Sequence, residues 1–345
     1  MLTARSERIT RARRRVAGAV QRRLPRITRR VVGASVLLYH RVASSPADPW
    51  QLAVTPDHFD EHLQVLRANG DVVDAAPTAQ RFRRHSLGRR RFAVTFDDGY
   101  VDNLQAALPL LERHDVPVTI FVATAYLDQP SFWWDRFDVL VLGDATSVEA
   151  GAEAAVAAGL LDTQRFGEVV AAGREALHAT LYVTLVALAA DRITDALDVM
   201  SAHLGLGDVT PEGRPLTTAE LITLAAHPLV TIGGHTSRHI RLAHVSTDDA
   251  RREIDEGARH LAAVLGSPPL LFAYPFGDAN ASAAVAARRS GFSRAFTTEG
   301  RALSVIDDPM LLPRLVVPDT DGTEFGRWVV GATGGVGAGW SAVAR

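Results

Sequence analysis

The stretch Thr95-Phe-Asp-Asp-Gly-Tyr100 decides the fold class of this chain. It follows the apolar run Phe92-Ala93-Val94, so two adjacent carboxylates stand where a buried strand opens into a glycine-containing turn. Further along, His235-Thr-Ser-Arg-His239 supplies two imidazoles four residues apart. One carboxylate and two histidines form a ligand set typical of catalytic zinc sites, with a position left for water. The second carboxylate would be free to act as a base.

Neither motif is decisive alone, because Asp-Asp-Gly is also an ordinary strand-ending turn and spaced histidines are often surface residues. Both motifs, however, follow short β-type runs, and so does a third segment, Leu270-Leu-Phe-Ala-Tyr-Pro-Phe-Gly277. Active sites in α/β folds collect at the C-terminal ends of strands. Three such strand ends therefore indicate one site at one rim of a sheet.

Short β-branched runs alternate with helical segments from Val36 onward. Strands are predicted at 36–40, 91–96, 116–122, 229–234, 270–274 and 294–298, and helices at 55–69, 103–114, 247–265 and 282–290. This alternation predicts an α/β fold with βα units around a parallel sheet, open or closed into a barrel.

The three motifs resemble those of the polysaccharide deacetylases, the NodB-homology or carbohydrate esterase family 4 group. Val36-Leu-Leu-Tyr-His-Arg-Val42 and Leu312-Pro-Arg314 are similar to the branch of this family that carries an N-terminal Y-H motif. The resemblance implies a distorted (β/α) barrel with fewer than eight strands, which we expect over residues 35–330.

The resemblance also implies a metal site. Asp98, His235 and His239 would bind a divalent ion, most suitably Zn²⁺, with Co²⁺, Ni²⁺ or Mn²⁺ as alternatives. Such an ion lowers the pKa of water from about 15.7 towards about 7. Asp97 takes the position of the family's general base.

The third motif would stabilise the oxyanion. By resemblance, the backbone N–H of Phe276 supplies a donor and Pro275 stiffens the turn, and Tyr274 belongs with both to the expected substrate and oxyanion site. Gly277 would allow a close backbone approach.

Two positions depart from the family pattern. The arginine that normally begins the third motif is replaced by Ala273, and Arg314 is either its substitute in orienting the base or an ordinary surface ion pair. The late histidine that normally acts as general acid is missing, because no histidine follows His260. His40 is the replacement we expect, unless it only forms structural hydrogen bonds at the barrel mouth.

These features predict metal-dependent removal of an N-acetyl group from an amino sugar of a polysaccharide or glycoconjugate precursor. The setting would be carbohydrate metabolism, and specifically cell envelope polysaccharide biosynthesis. Two alternatives are hydrolysis of another non-peptide C–N bond and a non-catalytic carbohydrate-binding protein on the same fold. Intact Asp97 and Asp98 argue against the last, since adjacent unpaired carboxylates repel each other.

Residues 128–228 interrupt the βα pattern. Alanine-rich helical stretches at 148–161, 165–191 and 193–204 predict a mostly helical insertion that covers the site or contacts a partner. Trp133 and Trp134 either stack on a sugar ring or anchor the insertion to the barrel.

Composition narrows the functional classes. The chain has 345 residues, of which 47% are hydrophobic, and no cysteine, which excludes thiol nucleophiles, disulfides and cysteine-ligated zinc. Residues 1–30 hold 11 arginines and one glutamate, about +10, so a net charge of −2 leaves about −12 on the remainder. An acidic body argues against nucleic acid as a partner.

The N-terminal arm, residues 1–34, carries apolar residues at spacings of three and four with arginines on the other face. This pattern indicates either a basic amphipathic helix on an anionic membrane surface or a disordered solvated arm. Arginines interrupt any apolar core of a secretory signal, so we expect a cytoplasmic protein. If the arm forms the amphipathic helix, residues 1–30 would attach the protein peripherally to the inner face of the membrane. Residues 331–345, rich in Gly and Ala, are expected to form a loose tail.

Overall fold

The computed structural model describes residues 34–45, 48–76, 90–207, 211, 213–304 and 306–332. The predicted basic arm therefore lies outside the described residues except for Ala34, and so does the predicted tail beyond Ala332. Within the described residues, no helix has both the length and the apolar character needed to cross a membrane.

The strands of the described residues are β1 (Ala34–Tyr39), β2 (Arg41–Val42), β3 (Ala53–Val54), β4 (Gly70–Val72), β5 (Arg90–Phe96), β6 (Val118–Val122), β7 (Val230–Gly234), β8 (Leu271–Ala273), β9 (Arg294–Phe296) and β10 (Leu315–Val316). Seven of them form a parallel path in the order β10-β1-β5-β6-β7-β8-β9, while β2 and β3 form a separate pair. Leu312, just before β10, bridges to Phe296 of β9, so the sheet curls into a distorted barrel. The fold class predicted from the sequence is confirmed.

The barrel path has seven strands, in agreement with the expected number of fewer than eight, and one further strand joins the sheet beside it. The sheet contains eight strands, because short β4 pairs with Arg90 to Phe92 at the beginning of β5. Only from Val94 onward does β5 pair with β6. Strand β5 thus pairs first with β4 and then with β6 along the same edge.

The strand register brings the carboxyl ends of the strands to one rim. Tyr39 pairs with Phe96, Phe96 with Ile120, and Val122 with Gly234. Gly234 pairs with Phe272, and Ala273 with Phe296. Because parallel strands in this register end together, the residues that follow them, including those of the three sequence motifs, meet at the same rim.

The α-helices of the described residues are α1 (Pro56–Asn69), α2 (Leu108–His114), α3 (Trp133–Leu142), α4 (Val148–Ala157), α5 (Phe166–Ala172), α6 (Arg174–Leu185), α7 (Ala190–Leu204), α8 (Thr218–Ala225), α9 (Thr247–Leu265), α10 (Ala281–Arg289) and α11 (Gly322–Ala332). A π-helical turn, Asn103–Ala107, leads into α2. Helix α1 has the predicted limits, because the Thr55 hydroxyl accepts a hydrogen bond from the His58 N–H and the helix ends at Gly70.

Helices α3 to α7 lie between strands β6 and β7 and share a core of their own. Two details differ from the sequence prediction. The stretch 165–191 is not one helix, because Gly173, at φ 92° and ψ 177°, separates α5 from α6. Helix α3, which was not predicted as a helix, places Phe137 and Leu140 in the core of this region.

Candidate active site

Asp98, His235 and His239 converge at the rim of the barrel. The Nε2 atoms of His235 and His239 lie 3.4 and 3.3 Å from the same Asp98 Oδ1 atom. All three side chains are buried, and their ligand atoms lie within 4.8 Å of one another. The structure therefore brings together the three residues that the sequence suggested as metal ligands.

The local backbone explains how these side chains turn towards a common point. Asp98 follows β5 at φ 74° and is succeeded by Gly99 at φ 89°, while His239 has φ 57°. Left-handed conformations are uncommon for residues other than glycine and often occur at functional sites. The Thr236 hydroxyl accepts a hydrogen bond from the His239 N–H at 3.0 Å and so fixes the turn between the two histidines.

The donor set fits a divalent cation. Because the Ala273 carbonyl can only accept, His235 Nδ1 at 2.8 Å must donate to it, which leaves the lone pair of neutral His235 on Nε2, towards Asp98. Among the described residues, no hydrogen-bond donor satisfies buried Asp98 Oδ1. A buried carboxylate oxygen without a donor is costly, and a cation between these atoms would compensate it.

Electrostatics favour the ligand forms of two of the three groups. Burial lowers the pKa of His239 to about 3, so this imidazole is neutral at physiological pH. Burial alone would raise the pKa of Asp98, but His239 and neighbouring imidazoles outweigh it and hold the pKa below the usual range. For His235, burial is outweighed by Asp97, which raises the pKa, so a proton and a metal compete for its Nε2.

Asp97 is held by Arg314 in a bidentate ion pair. Arg314 Nη1 and Nη2 donate to the two Asp97 carboxylate oxygens at 2.6 Å each. The guanidinium is fully buried, and its Nε donates to the Thr297 carbonyl at 3.1 Å. Burial alone would raise the pKa of Asp97, but Arg314 holds it below the usual range, so Asp97 is a charged acceptor. The pair lies in the interior of the barrel rim rather than on the surface.

His40 follows β1 and lines the same cavity as Asp97, Asp98, His235 and His239. The Asn103 side chain donates to the His40 carbonyl at 3.0 Å and fixes the backbone there. Asn103 begins the π-helical turn after the Asp-Asp-Gly motif, so the first and second βα connections are tied together. His40 therefore lies where a proton could pass to a group bound in the cavity.

The third motif divides between cavity and core. Phe276 lines the cavity and has a left-handed backbone at φ 59° and ψ 5°. Tyr274, which was expected to contact the substrate, instead turns away, donates from its hydroxyl to the Met310 carbonyl at 2.9 Å and packs in an apolar cluster. Pro275 is buried beneath the turn. A side chain at Gly277, which has φ 67°, would overlap Thr298, so this turn requires glycine.

The two tryptophans of the insertion have different environments. Trp134 is buried, donates from Nε1 to the Tyr100 hydroxyl at 2.7 Å and packs 4.8 Å from the His239 ring between centroids. The Tyr100 hydroxyl in turn donates to Asp135 at 3.1 Å. Trp134 thus anchors the insertion to the barrel while also lining the cavity, whereas Trp133 lines the same cavity and is only half-buried.

The cavity has a volume of about 190 Å³. The sequence did not predict four of the residues that line it, namely Trp50, Leu52, Tyr182 and Thr298. Trp50 lies in an irregular loop and Tyr182 in an alanine-rich helix, and neither position carries a motif. Their approach depends on how the insertion folds back on the barrel, for which a single sequence gives no local signal.

Known proteins share this sequence pattern and architecture. Residues 84–295 match the family described as polysaccharide deacetylase. A curated relative, "Putative polysaccharide deacetylase YxkH" of Bacillus subtilis (strain 168), is 29% identical over 89 residues, or 25% of this chain. That match spans only 30% of the relative's length. The family match covers more than half of the chain, which therefore belongs to the polysaccharide deacetylase family.

Solved structures of deacetylases share the fold. The Streptococcus pyogenes deacetylase PplD in complex with acetate superposes with a TM-score of 0.55 at 17% identity, over 85% of this chain and 96% of that one. IcaB from Ammonifex degensii gives a TM-score of 0.53 at 18% identity, over 86% and 96%. At these identities the likeness establishes the fold, and the chemistry must be argued from the site.

Proposed function

We propose that this protein hydrolyses an N-acetyl amide on an amino sugar of a polysaccharide or glycoconjugate precursor. One observation carries the proposal: Asp98, His235 and His239 converge beside a second carboxylate, Asp97, that is held by a buried arginine. This arrangement combines a cation site with a fixed proton acceptor, which amide hydrolysis requires. Family membership and the deacetylase activity named for PplD support the same reaction class.

The proposed ligands of the divalent ion are Asp98, His235 and His239. Nitrogen and carboxylate donors suit Zn²⁺, and Co²⁺, Ni²⁺ or Mn²⁺ are compatible with the same donors. When bound, the ion supplies Lewis acidity, which lowers the pKa of water and polarises a carbonyl oxygen.

Two side chains, Asp97 and His40, carry out the proton transfers. Asp97 accepts the proton of the attacking water while Arg314 keeps its carboxylate oriented. The water oxygen bonds to the carbonyl carbon, and the Phe276 N–H contributes a hydrogen bond to the oxyanion. His40 donates a proton to the nitrogen as the C–N bond breaks, which yields acetate and a free amine.

The cellular setting is part of the proposal. A polar sugar substrate fits carbohydrate metabolism, and a precursor of cell envelope polysaccharide would be available at the inner face of a membrane. The basic amphipathic pattern of residues 1–30 supports peripheral attachment there. An acyl amide other than N-acetyl is the alternative substrate, and binding without catalysis is the alternative role.

The proposal is tested by acetate release from a panel of N-acetylated glycans, lipid-linked sugars and small acyl amides. We expect release that a chelator abolishes and that Asp97→Asn lacks. Release of another acid from a non-sugar amide would favour the alternative hydrolase. Sugar binding without any hydrolysis, in protein with stoichiometric metal, would favour the binding role.

A further inference from the structure

We propose that an aromatic wall formed by Trp50, Trp133 and Tyr182 confines the site to one sugar residue. The enzyme would then act on an N-acetylated amino sugar at the end of a chain rather than within a chain. This inference rests on the proposed function, and it specifies the substrate class.

The wall lies in the same cavity as the reacting groups. Asp97, Asp98 and His235 line the part of the cavity at the strand ends. Trp50 comes from the loop between β2 and β3, Trp133 from the first turn of α3, and Tyr182 from α6. The two sets of residues come from separate parts of the fold and line the same cavity, which is partly open to solvent.

The cavity is small, although one side of it opens to solvent. Its volume of about 190 Å³ is below the roughly 300–1,000 Å³ of pockets for drug-sized ligands. A single sugar ring with its acyl group approaches this size, whereas several linked rings do not. A polymer bound through its interior would also need an open path on both sides of the reacting residue.

Contacts between the loop and the insertion close one side. The Trp50 and Tyr182 ring centroids are 4.1 Å apart, and those of Trp133 and Tyr182 are 6.0 Å apart. Trp50 Nε1 also donates to Asp138 Oδ2 at 2.7 Å. The loop after β2 is therefore joined to α3 and α6 beside the cavity, and a continuing chain cannot leave on this side.

The position of the wall is fixed by a largely buried polar pair. His178 Nε2 lies 2.6 Å from Asp138 Oδ1, and its ring contacts both Trp50 and Phe137. Asp138 thus holds Trp50 and His178 at once, one with each carboxylate oxygen. A wall held in this way places aromatic rings beside the reacting groups, and such rings suit the C–H surface of a pyranose ring.

The first test locates the hydrolysed residue. End-labelled oligomers of one to six N-acetylglucosamine units, β-1,4- or β-1,6-linked, would be treated with metal-loaded protein and analysed by tandem mass spectrometry. We expect deacetylation of one terminal residue only. Deacetylation at interior positions would overturn the proposal.

The second test does not depend on turnover. The affinity of Asp97→Asn for the same oligomers, measured by calorimetry, should change less than about threefold from one unit to six. An affinity that rises tenfold or more with length would show an open groove and overturn the inference. If Asp97→Asn binds no oligomer while the parent protein still releases acetate from other amides, the inference is also overturned. If the parent protein hydrolyses no substrate at all, the proposed function itself is refuted.

Variants of the wall complete the design. Trp133→Ala and Tyr182→Ala should raise KM for the single sugar at least tenfold, keep kcat within about threefold and admit interior residues. Trp50→Phe keeps an aromatic ring but loses the hydrogen bond to Asp138, and its KM for the single sugar should rise by a smaller factor. Trp328→Phe on α11 is the matched control, with unchanged KM expected. Unchanged KM and site preference in correctly folded wall variants would contradict the inference.

Discussion

At the scale of single residues, the Asp97–Arg314 ion pair joins positions 217 residues apart in the sequence. Asp97 could be identified from its motif. Arg314 was suggested because alanine stands at position 273, where the family usually has an arginine. Its bidentate contact with Asp97 could be recognised only in the structure. Such a pair is costly to bury unless its geometry is good, so we infer from its place beside the proposed metal ligands that Arg314 orients Asp97.

Arg314→Lys tests this role. Lysine keeps the charge but loses the planar pair of donors. We expect kcat to fall by roughly 10- to 100-fold, a part of the roughly 100- to 10,000-fold that a general base contributes. Metal content should be unchanged. Arg301→Lys, which alters a comparable pair with Asp307 away from the cavity, should retain full activity.

The coupling between the two residues gives the sharper measurement. If Arg314 acts through Asp97, adding Arg314→Lys to Asp97→Asn should cause little further loss. Independent, additive losses in the double variant would separate Arg314 from the base.

His40→Ala tests proton donation to the leaving amine. We expect kcat on an amide to fall by about 100-fold or more, and on an activated aryl acetate by less than about tenfold, because a good leaving group needs no proton. Steady-state kinetics on both substrates, with metal analysis, would measure this. His227→Ala, outside the cavity, is the control. Equal losses on both substrates would assign His40 a structural role.

At the scale of elements, local signals identified most helices and strands but not their long-range contacts. Helix α9 has the predicted limits, and Thr217 forms a capping box with Glu220 at the start of α8. Gly173 could not be identified as a break, because isolated glycines are also tolerated inside helices. The contact of Trp50 with Tyr182 depends on tertiary packing, which no local pattern encodes.

Helix α3 carries a buried carboxylate with a consequence for stability. Burial raises the pKa of Asp135 to about 8, although Arg41 and the Tyr100 hydroxyl oppose this shift. An unfolded aspartate titrates near 3.9, so between about pH 4 and pH 8 the folded state binds more protons than the unfolded state. The free energy of unfolding should therefore fall as pH rises through this interval.

Asp135→Asn removes this contribution and keeps an acceptor for Tyr100. Denaturant titrations of chelator-treated protein at pH 5 and pH 8.5 would measure the free energy of unfolding. Its decline between these pH values should be smaller in Asp135→Asn than in the parent by at least about 1.4 kcal/mol, the equivalent of one pKa unit. Asp198→Asn, at an exposed position on α7, should follow the parent. Parallel declines in Asp135→Asn and the parent would contradict the proposed titration.

At the scale of the whole molecule, the βα alternation predicted a parallel sheet with its site at one rim, and the family resemblance selected the barrel. The sequence suggested Trp133 as a possible sugar contact but could not predict Trp50 and Tyr182, because these two residues reach the cavity through packing rather than through motifs. The likeness to PplD and IcaB extends over about 85% of the chain at low identity. The architecture is therefore shared more widely than the sequence.

The proposed membrane attachment belongs to the same scale and concerns residues outside the described part of the chain. Deleting residues 1–30 should abolish sedimentation with vesicles that contain anionic lipid and leave hydrolysis of a small substrate unchanged. Vesicles of neutral lipid are the control. Sedimentation that survives the deletion would refute the anchor.

The central claim is that Asp98 holds the metal and Asp97 moves the proton. The most direct measurement is metal content and turnover of Asp97→Asn and Asp98→Asn, purified in parallel. We expect Asp97→Asn to retain stoichiometric metal and lose turnover, and Asp98→Asn to lose both. Full metal occupancy in Asp98→Asn, or undiminished turnover in Asp97→Asn, would contradict this assignment.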